Sequence, residues 1–226
     1  MSRTSSQNRP PQGRAPGHEA ITRYSEADLP TARGPLRIVV YRVGDDPDEE
    51  HVAMVHGQVR GGRDILCRVH SECFTSEVMG SLRCDCREQL DRALERIADE
   101  DAGVLVYLRQ EGRGIGLGNK VRAYALQDQG RDTVDANLAL GFEADLRSYE
   151  LAAAILRDLG VESVRLMTNN PDKLRGLESA GITVTAHEPH WVDASEHSAD
   201  YLHIKRSKMG HIAATDTPLD KDASGT

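Results

Sequence analysis

Apolar and polar positions change rhythm along this chain, and the rhythm divides it into elements. Short runs rich in Val and Ile at residues 36–42, 51–55 and 65–69 predict strands, spaced closely enough to be antiparallel neighbours. Residues 85–99 switch to helical spacing. Leu90, Leu94, Ile97 and Ala98 share one face, with Glu88, Arg92, Glu95 and Asp99 opposite. The run GVLVYL at Gly103–Leu108 predicts a buried strand. Helices are predicted at 119–129, stopped by Gly130, and at 149–159, stopped by Gly160, because glycine readily takes the left-handed conformation that ends a helix. A strand at 164–168, a helix at Pro171–Ser179 with proline near its start, a strand at 182–186 and a final helix at 195–209 complete the series. Mixed strands first and alternation later predict an α+β (mixed α/β) fold, with one mixed sheet flanked by helices.

The pattern fails at both ends. Residues 1–27 are rich in Ser, Arg, Pro, Gln and Gly, and residues 212–226 are also polar; both are read as disordered tails around a domain at 28–211. Hydrophobic residues make up 38% of the chain but aromatics only 4%, so the core must come mainly from Leu, Val, Ile and Ala. No apolar run is long enough to span a membrane, and the N-terminus lacks the apolar core of a secretory signal. The expected address is the cytoplasm, where clustered cysteines stay reduced and serve as ligands more often than as disulfides. The net charge of −8, from 28 Lys+Arg against 36 Asp+Glu, argues against nucleic-acid binding. It leaves room for one small polyanion wherever basic residues gather locally.

Three cysteines gather as C-x10-C-x-C: Cys73, Cys84 and Cys86, in HSECFTSEVMGSLRCDC. Three thiolates suit Zn²⁺, which prefers sulfur and nitrogen ligands. Spacing leaves two readings open. Three protein ligands with a fourth position for water mark a catalytic centre; completion by Cys67 or His70 makes a structural one. Cys67, inside a predicted strand, also reads as a buried thiol.

Basic residues gather in RQEGRGIGLGNKVR (109–122), where Arg109, Arg113, Lys120 and Arg122 alternate with Gly112, Gly114, Gly116 and Gly118. Glycines let backbone N–H groups approach a phosphate, and the segment leads into a helix N-terminus. It matches neither the P-loop nor the dinucleotide fingerprint, so a plain glycine-rich turn stays open as well. Asp145 and Arg147 in GFEADLRSY flank Leu146, a spacing usually explained by a solvated ion pair. Thr168 and Lys173 in TNNPDK flank a turn before a helix and offer a hydroxyl and an ammonium.

Together, and in this order, these segments resemble the GTP cyclohydrolase II family. The likeness runs from LPTARGPLRIVVY through RVHSECFTSEVMGSLRCDC, RQEGRGIGLGNKVRAYALQDQG, DTVDANLALGFEADLRSYE and VRLMTNNPDK to KMGH at 208–211. It implies a stand-alone catalytic domain at 28–211 that opens the imidazole ring of GTP. Formate and pyrophosphate leave, and a diaminopyrimidine ribosyl phosphate remains, the first step of riboflavin synthesis. It further implies that Cys73, Cys84 and Cys86 hold one zinc, and that Mg²⁺ accompanies the triphosphate. The GTP site would comprise Arg68, Val69, His70, Ser71, Glu72, Gln89, Glu111, Gly112, Arg113, Thr133, Thr168 and Lys173. Asp145 would accept a proton, Arg147 would act as nucleophile on the α-phosphate, and Tyr124 would lie close to the reacting base. A homodimer is the implied assembly. A guanidinium is a poor nucleophile, so a clamp on the α-phosphate is the competing role for Arg147. Relatives that stop at the formamide lack the tyrosine, which stands here at Tyr124. A non-catalytic nucleotide sensor is the reading outside enzymology. Gly118 and Ser148 depart from the common pattern without removing a reactive group.

Overall fold

Burial alternates along β2 (Gly34–Val43) and β3 (Glu50–His56) but is nearly continuous along β4 (Ile65–Ser71) and β5 (Gly103–Leu108). Strands covered on both faces take the middle of a sheet. The computed structural model, which describes residues 21–44, 49–143 and 145–192, arranges seven strands in the order β1-β2-β3-β5-β4-β6-β7. β1 (Ile21–Thr31), β2, β3 and β5 are antiparallel neighbours. β5, β4, β6 (Ser163–Met167) and β7 (Thr183–Glu188) run parallel. The mixed sheet flanked by helices is thus as expected.

One expected pairing is corrected: β3 and β4 are not neighbours, because β5 lies between them. The cause is α2 (Cys86–Ala98), whose apolar face must be buried. A helix between two strands makes a crossover that returns the chain parallel to its start, so β5 pairs with β4 from the inside. Ala93 and Ile97 of α2 pack on Leu66, Leu105 and Met167. On the opposite face, α5 (Glu150–Leu159) and α6 (Pro171–Ser179) set Ile155, Leu156 and Leu177 against Val69, Val104, Val106 and Leu166. Each of these fully buried aliphatic side chains contributes about 1.5–3 kcal/mol by leaving water. Gly160, at φ 77°, ends α5 as predicted.

Other boundaries move. β1 begins at Ile21, inside the stretch read as a disordered tail. Its residues are polar, and polar contacts hold it: Arg23 meets Asp158 of α5 at 2.7 Å, and Asp158 also accepts from the Tyr41 hydroxyl at 2.8 Å. Helix α3 spans Gly116–Gln127, starting before residue 119. Two short helices were not predicted, α1 (Phe74–Glu77) and α4 (Thr133–Ala139). The expected helix at 195–209, the KMGH segment and the tails up to residue 20 and from 212 lie outside the described residues. Among the described residues, no helix is long and apolar enough to cross a membrane.

Candidate active site

The parallel strands deliver the site at their carboxyl ends. Cys73 follows β4 and sits at the N-terminus of α1; Cys86 is the first residue of α2, and Cys84 lies two residues before it. The three Sγ atoms lie within 4.8 Å of one another, with Cys73 and Cys84 at 3.5 Å. Tetrahedral zinc with Zn–S bonds of about 2.3 Å needs sulfurs about 3.8 Å apart, so the cradle fits the ion with little adjustment. Hydrogen bonds from Cys84 and Cys86, and the nearby Lys120 ammonium, hold the Cys73 thiol far below its ordinary range despite burial. Its neighbour Cys84 is pushed up in consequence. Cys67 faces the core on the α5 side, where burial raises its thiol to about 12. His70 is engaged elsewhere, so the described residues offer three ligands.

His70 leads to a carboxylate that the sequence reading did not single out. Glu77, on α1, bonds His70 Nε2 at 2.7 Å and accepts from the Cys73 backbone N–H at 3.0 Å and the Tyr107 hydroxyl at 2.5 Å. The His70 ring stacks on Tyr107 at 5.7 Å. Burial keeps this imidazole neutral, lowering its pKa although Glu77 opposes the shift. Glu77 therefore fixes the turn that carries Cys73.

On the other side of Cys73 lies the glycine turn. Gly112, Arg113 and Gly114 take φ of 63°, 62° and 89°, with Arg113 in a conformation that disfavours non-glycine residues. Glu111, just before them, is buried and has three donors. It accepts from Phe74 N at 2.7 Å, Gly112 N at 2.7 Å and Lys120 Nζ at 2.7 Å. Lys120 also donates to Cys73 Sγ at 3.0 Å. Tyr124, one turn further along α3, reaches the cradle through Thr75: its hydroxyl is 3.3 Å from Thr75 Oγ1, itself 3.7 Å from Cys73 Sγ. The Arg83 guanidinium lies 4.8 Å from the Tyr124 ring centre.

Asp145 and Arg147 dock onto this turn. The Leu146 N–H donates to Arg113 O at 3.1 Å, and Gln110 donates to Ser148 O at 3.0 Å. Arg147 forks onto Asp145, with Nε at 2.9 Å from Oδ1 and a closer contact from its terminal nitrogen. Burial would raise the Asp145 carboxyl, but the Arg147 hydrogen bonds outweigh it and hold it below the usual range.

The remaining candidates lie under and beside these groups. Arg68 is buried beneath α2 and donates to Met167 O at 2.8 Å and Gln89 Oε1 at 2.6 Å. Gln89 in turn donates to Asp85 at 2.5 Å. Burial lowers the Arg68 guanidinium to about 10. Val69 packs in the opposite core, but its carbonyl accepts from Lys173 Nζ at 2.7 Å. Lys173, expected to offer its ammonium to a ligand, is thus buried against the end of β4. Thr168 is buried and its hydroxyl accepts from Asn170 N at 3.0 Å. Glu72 faces Arg109 at 3.8 Å, and burial raises its carboxyl. Arg68 Nε, His70 Nδ1 and Ser71 Oγ are buried without a hydrogen-bond partner. Thr133 opens α4, but its side chain lies outside the described set.

Comparison with known proteins agrees with this geometry. The family described as GTP cyclohydrolase II matches residues 22–189. The GTP cyclohydrolase-2 of Actinobacillus succinogenes is 52% identical over 191 residues, covering 84% of this chain and 88% of that protein. The GTP cyclohydrolase-2 of Picrophilus torridus is 48% identical over 189 residues, covering 84% of this chain and 97% of the other. The riboflavin biosynthesis protein RibBA of Salinispora tropica is 54% identical over 189 residues, covering 83% of this chain but only 47% of RibBA. With a family match across most of the folded residues, the chain belongs to the GTP cyclohydrolase II family.

Proposed function

We propose that this protein hydrolyses GTP at the imidazole ring and at the α–β phosphate bond, giving formate, pyrophosphate and a diaminopyrimidine ribosyl phosphate for riboflavin synthesis. The observation that carries the reading is the three-thiol cradle joined through Lys120, Glu111 and Thr75 to the glycine turn and Tyr124. Cys73, Cys84 and Cys86 would hold zinc, which when bound supplies Lewis acidity and activates water for attack at guanine C8. C8 is electrophilic because two nitrogens flank it.

The chain's own residues supply the rest. The glycine turn and Arg113 bind phosphate through backbone N–H groups and a fixed cation. Arg68, His70, Ser71, Glu72, Gln89, Thr133, Thr168 and Lys173 complete the nucleotide site, some by contact and the buried ones by shaping β4. Val69 belongs to the latter group. Glu111 and Gly112 orient the guanine edge. Asp145 accepts a proton as water cleaves the anhydride, and Tyr124 assists at the base. Arg147 clamps the α-phosphate and stabilises its developing charge; its fork on Asp145 is what a bidentate phosphate ligand uses. Mg²⁺ accompanies the triphosphate. The resemblance also supports a homodimer, which sedimentation tests, and the reduced thiols suit a cytoplasmic setting.

The test is an assay with GTP, zinc and Mg²⁺ that follows formate, pyrophosphate and pyrimidine separately. Formate production is expected, together with its loss and loss of metal in Cys84→Ser. Absence of formate, or one zinc per chain retained in single Ser variants of Cys73, Cys84 and Cys86, would sink the reading.

A further inference from the structure

Lys120 has a place in this geometry that phosphate binding does not explain. Its ammonium sits between Glu111 Oε1 at 2.7 Å and Cys73 Sγ at 3.0 Å, and its side chain is only 13% exposed. The approach is built in. A Cβ at Gly112 would lie 3.0 Å from Lys120 Cβ, so glycine there lets the lysine stem pass close beneath the turn. Glu111, itself fixed by the Phe74 and Gly112 N–H groups, aims the ammonium at the sulfur.

We propose that Lys120 is a positioning residue of the metal centre: it donates an N–H···S hydrogen bond to Cys73, fixes that ligand's orientation and offsets the negative charge of three thiolates. The inference rests on the zinc reading of the cysteine cradle. Three thiolates and a dication carry a net negative charge, and a nearby ammonium neutralises it. A donor to a ligating sulfur withdraws electron density from it and leaves the metal a stronger Lewis acid. Such outer partners are worth about 10–100-fold in metal affinity or activity.

The test uses the full chain loaded with zinc, and a cobalt-substituted form. In Lys120→Met, zinc should pass to a competing chelator about 10-fold faster. The thiolate-to-cobalt charge-transfer band should move to lower energy, because the sulfur has lost its donor. Lys120→Arg keeps the charge and the Glu111 pair and serves if the methionine variant does not fold. Its longer, planar guanidinium cannot place a donor where Nζ sits, so the contact to sulfur is altered and the band should still move, by less than in Lys120→Met. Glu111→Gln keeps an amide oxygen to aim Lys120 at the sulfur, and its band should move much less than that of Lys120→Met. Unchanged bands and zinc retention in both Lys120 variants would overturn the proposal. So would an equal shift in Glu111→Gln and Lys120→Met, which would place the effect in the ion pair. Wild-type protein that takes up neither zinc nor cobalt would overturn the metal-centre reading itself, a distinct outcome.

Discussion

Two glycines of the same turn separate backbone strain from displacement of the reactive loop. Gly114 has φ +89°, and an added Cβ would lie 3.1 Å from Leu146 Cβ and 3.4 Å from its carbonyl carbon. Gly116 has φ +81° and nothing within 4 Å of its added Cβ. Alanine in the left-handed region costs about 1–2 kcal/mol at either position. Each variant should therefore lose about 2–8 °C in Tm. Only Gly114→Ala adds a steric push. The contact with Leu146 must open by a few tenths of an ångström, and Leu146 is held at Arg113 O by its own N–H at 3.1 Å. Its neighbours Asp145 and Arg147 move with it. A 1 Å misplacement costs on the order of 10²-fold in rate, so a few tenths should cost roughly 4–10-fold. Steady-state formate and pyrophosphate release, zinc content and thermal unfolding are measured on both variants. The expected result is similar Tm loss, unchanged zinc, and a kcat lower by that factor in Gly114→Ala than in Gly116→Ala. Equal kcat in the two would refute the claim that the glycine turn positions the Asp145–Arg147 loop.

Three further expectations follow from named contacts. Glu77→Ala removes the acceptor of three donors, and each donor left buried costs about 1–3 kcal/mol, so urea unfolding should show a loss on the order of 3–6 kcal/mol; Glu77→Gln, which keeps one carbonyl, should lose about half, and a loss under about 1 kcal/mol in the alanine variant contradicts the network. His51 and His190 are buried neutral, His51 lowered to about 4 by burial and then Arg109, His190 to about 3 by burial and then Arg68. The unfolded chain takes up protons that the fold refuses, so their stabilisation is whole above pH 6.5 and drains as pH falls toward those values. Between pH 8 and pH 5 the loss is roughly 2 kcal/mol each, and a His190→Gln variant whose stability falls as steeply as wild type would rule this out. Arg147→Lys keeps a charge but loses the fork, and kcat should fall on the order of 10²–10³-fold if the residue is a clamp; a guanylyl adduct on Arg147 formed and consumed at the turnover rate would establish the nucleophile instead.

What was legible in the sequence followed from strong local signals. GVLVYL became β5 at the expected bounds because six apolar residues in a row have no solvated face. The cysteine spacing announced the cradle because three thiols at short separation suit a single soft-metal site. β1 was hidden because most of its residues are polar and exposed; its order comes from the backbone ladder with β2 and from the Arg23–Asp158 contact, which joins residues more than a hundred positions apart. The β3–β5–β4 order was hidden for a related reason: it is fixed by where α2 buries its face, not by the strands themselves. Glu77 carried no signal of its own, and Lys120 was legible only as part of a local positive charge suited to a phosphate; only the fold turns the two toward Cys73.

The site's location follows from the connections. The chain leaves β4 toward the α2 face and returns as β5 on one side; it leaves β6 toward the α6 face and continues to β7 on the other. At the carboxyl ends of β4 and β6 the backbone thus diverges to opposite faces, the switch point at which open α/β sheets usually bind ligands. The residues beside that switch point break the apolar rule of buried strands. Leu66 alternates with Arg68 and His70 on the α2 face of β4, and the polar pair carries buried atoms with no partner, Arg68 Nε and His70 Nδ1. A buried donor or acceptor left unpaired costs about 1–3 kcal/mol. Valine at either position would avoid that cost and make β4 a better strand. The chain instead keeps these two polar side chains on the strand that leads to Cys73, where the nucleotide of the proposed function would find hydrogen-bond partners.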